Sequence, residues 1–124
     1  MPFIMYHATP AANVYNILKY GLEPRPAKPT TLWTPSENVL YLTNSIDTAK
    51  EFADQSYKLR KSDSKAWGIL LIEYDEFPDE VYPDLDWGIP GVYYVKRWIP
   101  PEHVTYVKRY FVDYLRIRRI RKRP

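Results

Sequence analysis

There is no cysteine anywhere in the 124 residues. That absence removes disulfides, thiolate metal sites and cysteine nucleophiles together, and it fits a reducing compartment. Histidine is nearly as scarce, with only His7 and His103. A zinc site would therefore need Asp/Glu support, and no spacing in the chain suggests such a set. Also missing are a glycine-rich phosphate loop, a Gly-x-Ser-x-Gly elbow and a His-Glu-x-x-His helix. A Ser-His-Asp arrangement is neither excluded nor favoured. No apolar run approaches the ~20 residues needed to span a bilayer. The opening MPFIMYHATP lacks the basic region and apolar stretch of a signal peptide. The expectation is a soluble, cytoplasmic protein without a metal.

The length suits one domain with a single hydrophobic core. Twelve Tyr and twelve Pro against four Gly suggest short strands joined by stiffened loops. The formal charge of +3 hides a division. Residues 108–124 hold eight Lys/Arg against Asp113 alone, which leaves ten basic and fourteen acidic side chains in the rest. An acidic body carries a basic end.

Residues 3–8 (FIMYHA) read as a buried strand. A helix follows, with Pro10 suiting its first turn and Val14, Ile17 and Leu18 on one face. Gly21 ends it as a left-handed residue, with Leu22 packing back. Residues 23–38 carry four prolines and read as a long irregular loop. A second strand covers Asn38 to Thr43. Ser45 then reads as the N-cap of a helix running to about Tyr57, with Asp47 in its first turn and Ile46, Ala49, Phe52 and Ala53 buried. The apolar run Trp67–Tyr74 suggests a central strand, and an acidic, proline-rich loop spans 75–91. Strands at Val92–Trp98 and Val104–Tyr114 close the chain around a Pro-Pro-Glu-His turn. The class is α+β, with about five strands and two short helices.

Four blocks of this pattern resemble a known family. Tyr6-His7-Ala8-Thr9-Pro10, followed by a helix closing on Ile17-Leu18-Lys19-Tyr20-Gly21-Leu22, is similar to the first motif of the ADP-ribosyltransferase superfamily. The similarity is to its diphtheria-toxin-like and poly(ADP-ribose) polymerase branch. Val39-Leu40-Tyr41-Leu42-Thr43, with Phe52 eleven residues after Tyr41 on the next helix, resembles that branch's second motif. Trp67–Glu73 resembles the central strand, and Tyr94-Val95…Ile99…Val104–Val107 the closing ones. The order is preserved over nearly the whole chain.

The resemblance implies an ADP-ribosyltransferase-like split β-sandwich over residues 1–115, a basic tail over 116–124, and NAD as substrate, with no metal. It places Tyr6, His7, Ala8, Thr9, Tyr41, Ala49 and Phe52 at the dinucleotide. His7 would bond the adenine-ribose hydroxyls, and the Ala8 backbone would pair with the nicotinamide carboxamide. Tyr41 and Phe52 would hold the flat cationic ring between them, an arrangement in which cation–π attraction contributes ~1–2 kcal/mol when desolvated. Ala49, beside Thr48, stands where the family has a small hydroxyl residue. Tyr93 aligns with the catalytic Glu and joins His7 and Tyr41 as a catalytic candidate. A tyrosine can hydrogen-bond a ribose but carries no charge. Asp84 and Asp86 are the nearest replacement acids, with Glu102 a weaker one.

Taken alone, each feature has a plainer explanation. His7 would be a core histidine, Tyr41 and Phe52 core aromatics, and the 75–91 loop a solvated surface, although the resemblance implies that it faces the acceptor, with Tyr82 and Trp87 as anchors. The tail would be a solvated terminus. The functional reading of the whole is a mono-ADP-ribosyltransferase, a glycosyltransferase releasing nicotinamide, that acts on a macromolecular acceptor, protein or nucleic acid. Arg116, Arg118, Arg119 and Arg121 would contact nucleic-acid phosphates. One alternative is a degenerate NAD- or ADP-ribose-binding module with the same tail. Another is an RNA 2′-phosphotransferase-like activity, against which stands a single arginine, Arg25, before the second strand.

Overall fold

Strand β1, Phe3–Pro10, runs two residues further than its apolar run suggests and takes Pro10 as its last member. The computed structural model describes residues 2–26, 38–59, 62–84 and 89–112. After a 3₁₀ turn at Ala11–Asn13 comes helix α1, Val14–Tyr20, then the two-residue strand β2, Arg25–Pro26. Next are β3, Asn38–Thr43, and helix α2, Ile46–Lys58. The chain continues through β4, Ala66–Tyr74, the two-residue β5, Tyr82–Pro83, and β6, Val92–Val95. A second 3₁₀ turn, Pro101–His103, leads into β7, Val104–Phe111. The class is α+β.

One antiparallel sheet runs in the order β5-β6-β3-β1-β4-β7, with β2 alongside β3. The inner pair β1–β4 is fully zipped, from Phe3↔Tyr74 to Pro10↔Trp67. The neighbouring pair β1–β3 is not. It meets at Tyr6↔Thr43, and β3 runs on beside β6 and β2 instead. The Thr43 hydroxyl lies 3.3 Å from the Tyr6 carbonyl and 3.1 Å from that of Ser45, within reach of either at this junction.

Side chains alternate across the pleat, so the sheet carries a core on each face. One is built from Met5, Leu40, Leu42, Leu70, Ile72, Val95 and Ile99, with Val14 and Ile17 of α1 packed on it. The other joins Ala8, Trp67, Ile69 and Val92 to Ala49, Phe52 and Ala53 of α2. Leu42, Ile69, Leu70, Ile72, Val95 and Ile99 are wholly inaccessible, and each contributes about 1.5–3 kcal/mol through burial. This double cover explains the unbroken Gly-Ile-Leu-Leu-Ile run of β4, which has a strand on either side.

The capping expectations hold. Ser45 Oγ accepts the Thr48 N–H at 3.0 Å, with Asp47 in the first turn. Gly21 has φ of +89° and donates its N–H to the Ile17 carbonyl at 2.7 Å. Several boundaries move. α1 begins at Val14, because Pro10 still pairs with Trp67, and Leu18 faces outward. The strand expected over Val92–Trp98 ends at Val95, opposite Leu40, and the first two residues of β3, Asn38 and Val39, pair with β2. Arg25–Pro26 of the expected irregular loop pair with β3. The tail from Asp113 onward, with Arg116, Arg118, Arg119 and Arg121, lies outside the described residues.

Candidate functional site

Where β3 leaves β1, a cleft of about 650 Å³ opens. Its walls come from both sides of the parting. His7, Ala8 and Thr9 of β1 face Val39, Leu40 and Tyr41 of β3, with Phe52 and Ser56 of α2 and Trp67 of β4 also lining it. The turn and helix after β1 add Asn13, Asn16, Ile17 and Tyr20, and the segment into β2 adds Glu23 and Arg25.

Local sequence explains these placements. A strand whose pairing stops early leaves backbone groups to be satisfied. His7 meets one such need, since its ring donates from Nδ1 to the Tyr41 carbonyl at 2.7 Å. A carbonyl can only accept, so the neutral ring carries its proton on Nδ1 and presents Nε2 as an acceptor. Burial in the protein pushes the His7 pKa below 6.5, with the bond to Tyr41 opposing this in part. The site thus favours an uncharged imidazole. Thr9 is buried, and its hydroxyl lies 3.5 Å from the Asn13 side-chain amide. Trp67, also buried, donates its indole N–H to the Ser64 carbonyl at 2.8 Å, which fixes that wall.

Tyr41 and Phe52, the pair the family resemblance singles out, come together, but they touch each other. Their ring centroids are 5.7 Å apart with planes inclined at 42°. Holding a flat ring between two faces takes two contact distances, about 7 Å in all, and near-parallel planes. In this conformation the pair forms one aromatic wall instead of a slot.

The cleft therefore unites His7, Ala8, Thr9, Tyr41 and Phe52. It does not include three other candidates. Ala49 is wholly buried under α2, and Tyr6 packs against the same core from β1. Tyr93, on β6, pairs with Leu42 of β3 and packs, half-buried, against the core on the α1 side. Its neighbour Tyr94 points the other way, stacked on Tyr82 at 5.1 Å. Asp84 bonds back to β6 through its N–H and is not among the cleft walls, whereas Asp86 and Trp87 lie outside the described residues. Glu102 sits on the 3₁₀ turn before β7.

The sequence reading overlooked Glu23 as a cleft residue. Gly21 turns the chain, Leu22 bridges to Ile99, and this hold sets Glu23 and Arg25 on the cleft rim. A charged pair straight after the Gly-Leu helix stop is a signal that could have been followed. Among the described residues, no three His, Asp or Glu side chains gather as a metal-ligand set. Nor is any described helix long and apolar enough to cross a membrane. No protein-family model, curated protein or solved structure matches the chain.

Proposed function

We propose that the chain is an ADP-ribosyltransferase-like domain that binds NAD between β1 and β3 and transfers ADP-ribose to a macromolecular acceptor. The observation that carries this reading is the convergence on one cleft of His7, Ala8 and Thr9 with Tyr41 and Phe52, residues from two separate sequence blocks. The parting of the sheet at β1–β3 is consistent with a split β-sandwich. The volume falls in the range of small-molecule and cofactor sites.

The residues present suit a dinucleotide in most respects. His7 Nε2 can accept from a ribose hydroxyl, Arg25 can meet the pyrophosphate, and the aromatic wall of Tyr41 and Phe52 offers a face to nicotinamide. Thr9, Asn13 and Asn16 supply further polar contacts. In the reaction, the bond between ribose C1′ and the nicotinamide nitrogen breaks and its electron pair leaves with nicotinamide. The oxocarbenium-like carbon is then attacked by a nucleophile of the acceptor, whose proton passes to solvent. Among the cleft-lining residues described, the carboxylate that could steady that positive charge is Glu23.

Incubation with NAD and assay of free nicotinamide tests the proposal. Release that is lost in both His7→Ala and Tyr41→Ala is expected. No release with protein, DNA or RNA acceptors present would remove the transferase reading. A binding module without turnover is favoured by one observation, that Tyr93 packs against the core and does not line the cleft. Calorimetry showing NAD or ADP-ribose bound, with no nicotinamide formed, identifies that case.

A further inference from the structure

Among the described residues strand β7 is the edge of the sheet, paired with β4 alone, and its outward residues are an unusual set. The register places Tyr106 opposite Leu70, Arg109 opposite Gly68 and Phe111 opposite Ala66. Residues directly opposite one another in an antiparallel pair share a face. Leu70, Gly68 and Ala66 alternate along β4, so Tyr106, Arg109 and Phe111 share the face covered by α1. Simple alternation would not produce this row, because Tyr106 would then line up with Lys108 and Tyr110. An irregularity between Ile69 and Leu70 inserts Val107 and shifts the phase. The same shift sends Tyr110 to the opposite face, where it bonds Asp54 of α2.

The result is an exposed aromatic–basic row. Tyr106 is 42% and Phe111 61% exposed, and the Arg109 guanidinium lies 5.1 Å from the Phe111 ring centre. Helix α1, in contact with β7, repeats the motif with Tyr15 at 73% exposure and Lys19 Nζ 5.2 Å from the ring centre of an exposed Tyr20. Neither α1 nor β7 contains an Asp or Glu. Lysine and arginine on an edge strand have an ordinary use, discouraging pairing with other chains. That use explains the charges but not large exposed rings set in line with them, which would promote association.

We propose that this face of β7, with Tyr106 and Phe111 as stacking platforms and Arg109 as a phosphate contact, binds single-stranded nucleic acid. Bases present flat faces to aromatic rings whatever their identity, and the cation set among the rings meets the backbone. The row spans four residue steps of β4, from Ala66 to Leu70, about 13 Å at ~3.3 Å per residue, room for two or three bases. Binding is expected to depend on salt and to show little sequence preference. No residue of β7 lines the cleft, and the proposal does not depend on the NAD reading.

The test is fluorescence anisotropy of the full chain with labelled oligothymidylate, oligouridylate and a duplex of the same length. Preference for the single strands is expected. Tyr106→Ala and Phe111→Ala should each weaken binding by roughly 5-fold or more, and Tyr106→Trp should retain it. Arg109→Gln should lower the salt slope by about one. Thermal melting and NAD calorimetry on the same variants should match the parent chain, which separates this surface from both the fold and the cleft. Equal affinity for duplex overturns the proposal. So does unchanged binding in a Tyr106→Ala/Phe111→Ala chain, or loss confined to joint Gln replacement of Arg116, Arg118, Arg119 and Arg121.

Discussion

The His7 ring donates from Nδ1 to the backbone carbonyl of Tyr41 across 2.7 Å, and so bridges two strands where they have stopped pairing. This bond couples the two halves of the candidate site. It sets the tautomer of His7 and at the same time holds the strand that carries Tyr41. A change at either residue should therefore be felt at the other.

The first expectation concerns pH. Burial lowers the folded-state pKa of His7 below 6.5, so the unfolded chain takes up its proton more readily. The associated stability is complete above about pH 6.5 and is lost as pH falls from there towards the depressed folded value. Urea unfolding between pH 8 and pH 5 should show this decline, and a His7→Gln chain should show a shallower one. An unchanged slope in the variant would assign the decline to other groups.

A second expectation rests on Asp54, which no sequence pattern marked. It is fully buried on α2, and the Tyr110 hydroxyl lies 2.8 and 2.9 Å from its two carboxylate oxygens. Tyr110→Phe removes a hydrogen bond to a buried carboxylate while keeping the ring. The expected loss is about 1.5–3 kcal/mol in denaturant unfolding. A loss below about 0.5 kcal/mol would mean that other partners suffice for Asp54.

Gly21 provides a third. Its φ of +89° with ψ near 180° belongs to a region open essentially to glycine, and a Cβ there would collide with the Ile99 carbonyl oxygen. Gly21→Ala should cost more than the about 1–3 kcal/mol of backbone strain alone. It should also displace the Leu22–Ile99 bridge. Because that bridge seats Glu23 and Arg25 at the cleft rim, ligand binding should weaken in step with stability.

The cleft itself yields a fourth expectation, one that follows from the NAD proposal. Arg25→Gln removes a charge-assisted contact to phosphate and should weaken NAD binding by roughly 10-fold or more, measured by calorimetry. Glu23→Gln should instead lower nicotinamide release with little change in affinity. Equal loss of affinity in both chains would place Glu23 in binding and not in turnover.

Much of the fold was legible because its signals are local. Ser45 three residues before Thr48, Gly21 before Leu22, and the apolar run of β4 each act over one turn or one strand. Where pairing decides, the reading slipped. The strand expected to Trp98 ends at Val95, its last residue paired with β3, and Pro10 stays in β1 because Trp67 lies opposite. The candidate site divided in the same way. His7 and Tyr41 were marked by their neighbours in sequence and do share the cleft, whereas Tyr93 was placed by alignment of strands and packs, half-buried, against the core outside the cleft.

The sequence by itself determined the alternation, the caps, the absence of thiol chemistry and the two blocks whose residues meet at the cleft. Those follow from side-chain chemistry acting over a few positions. Only the tertiary structure decided that β1 and β3 part after one residue pair, that Glu23 and Arg25 reach the rim, and that Tyr41 closes on Phe52. It also decided that one extra residue in β7 sends Tyr110 inward to Asp54 and leaves Tyr106, Arg109 and Phe111 in a row outside. Strand register is fixed by the sum of many weak contacts on both faces, and a shift of one residue reverses every side chain. No short stretch of sequence carries that sum.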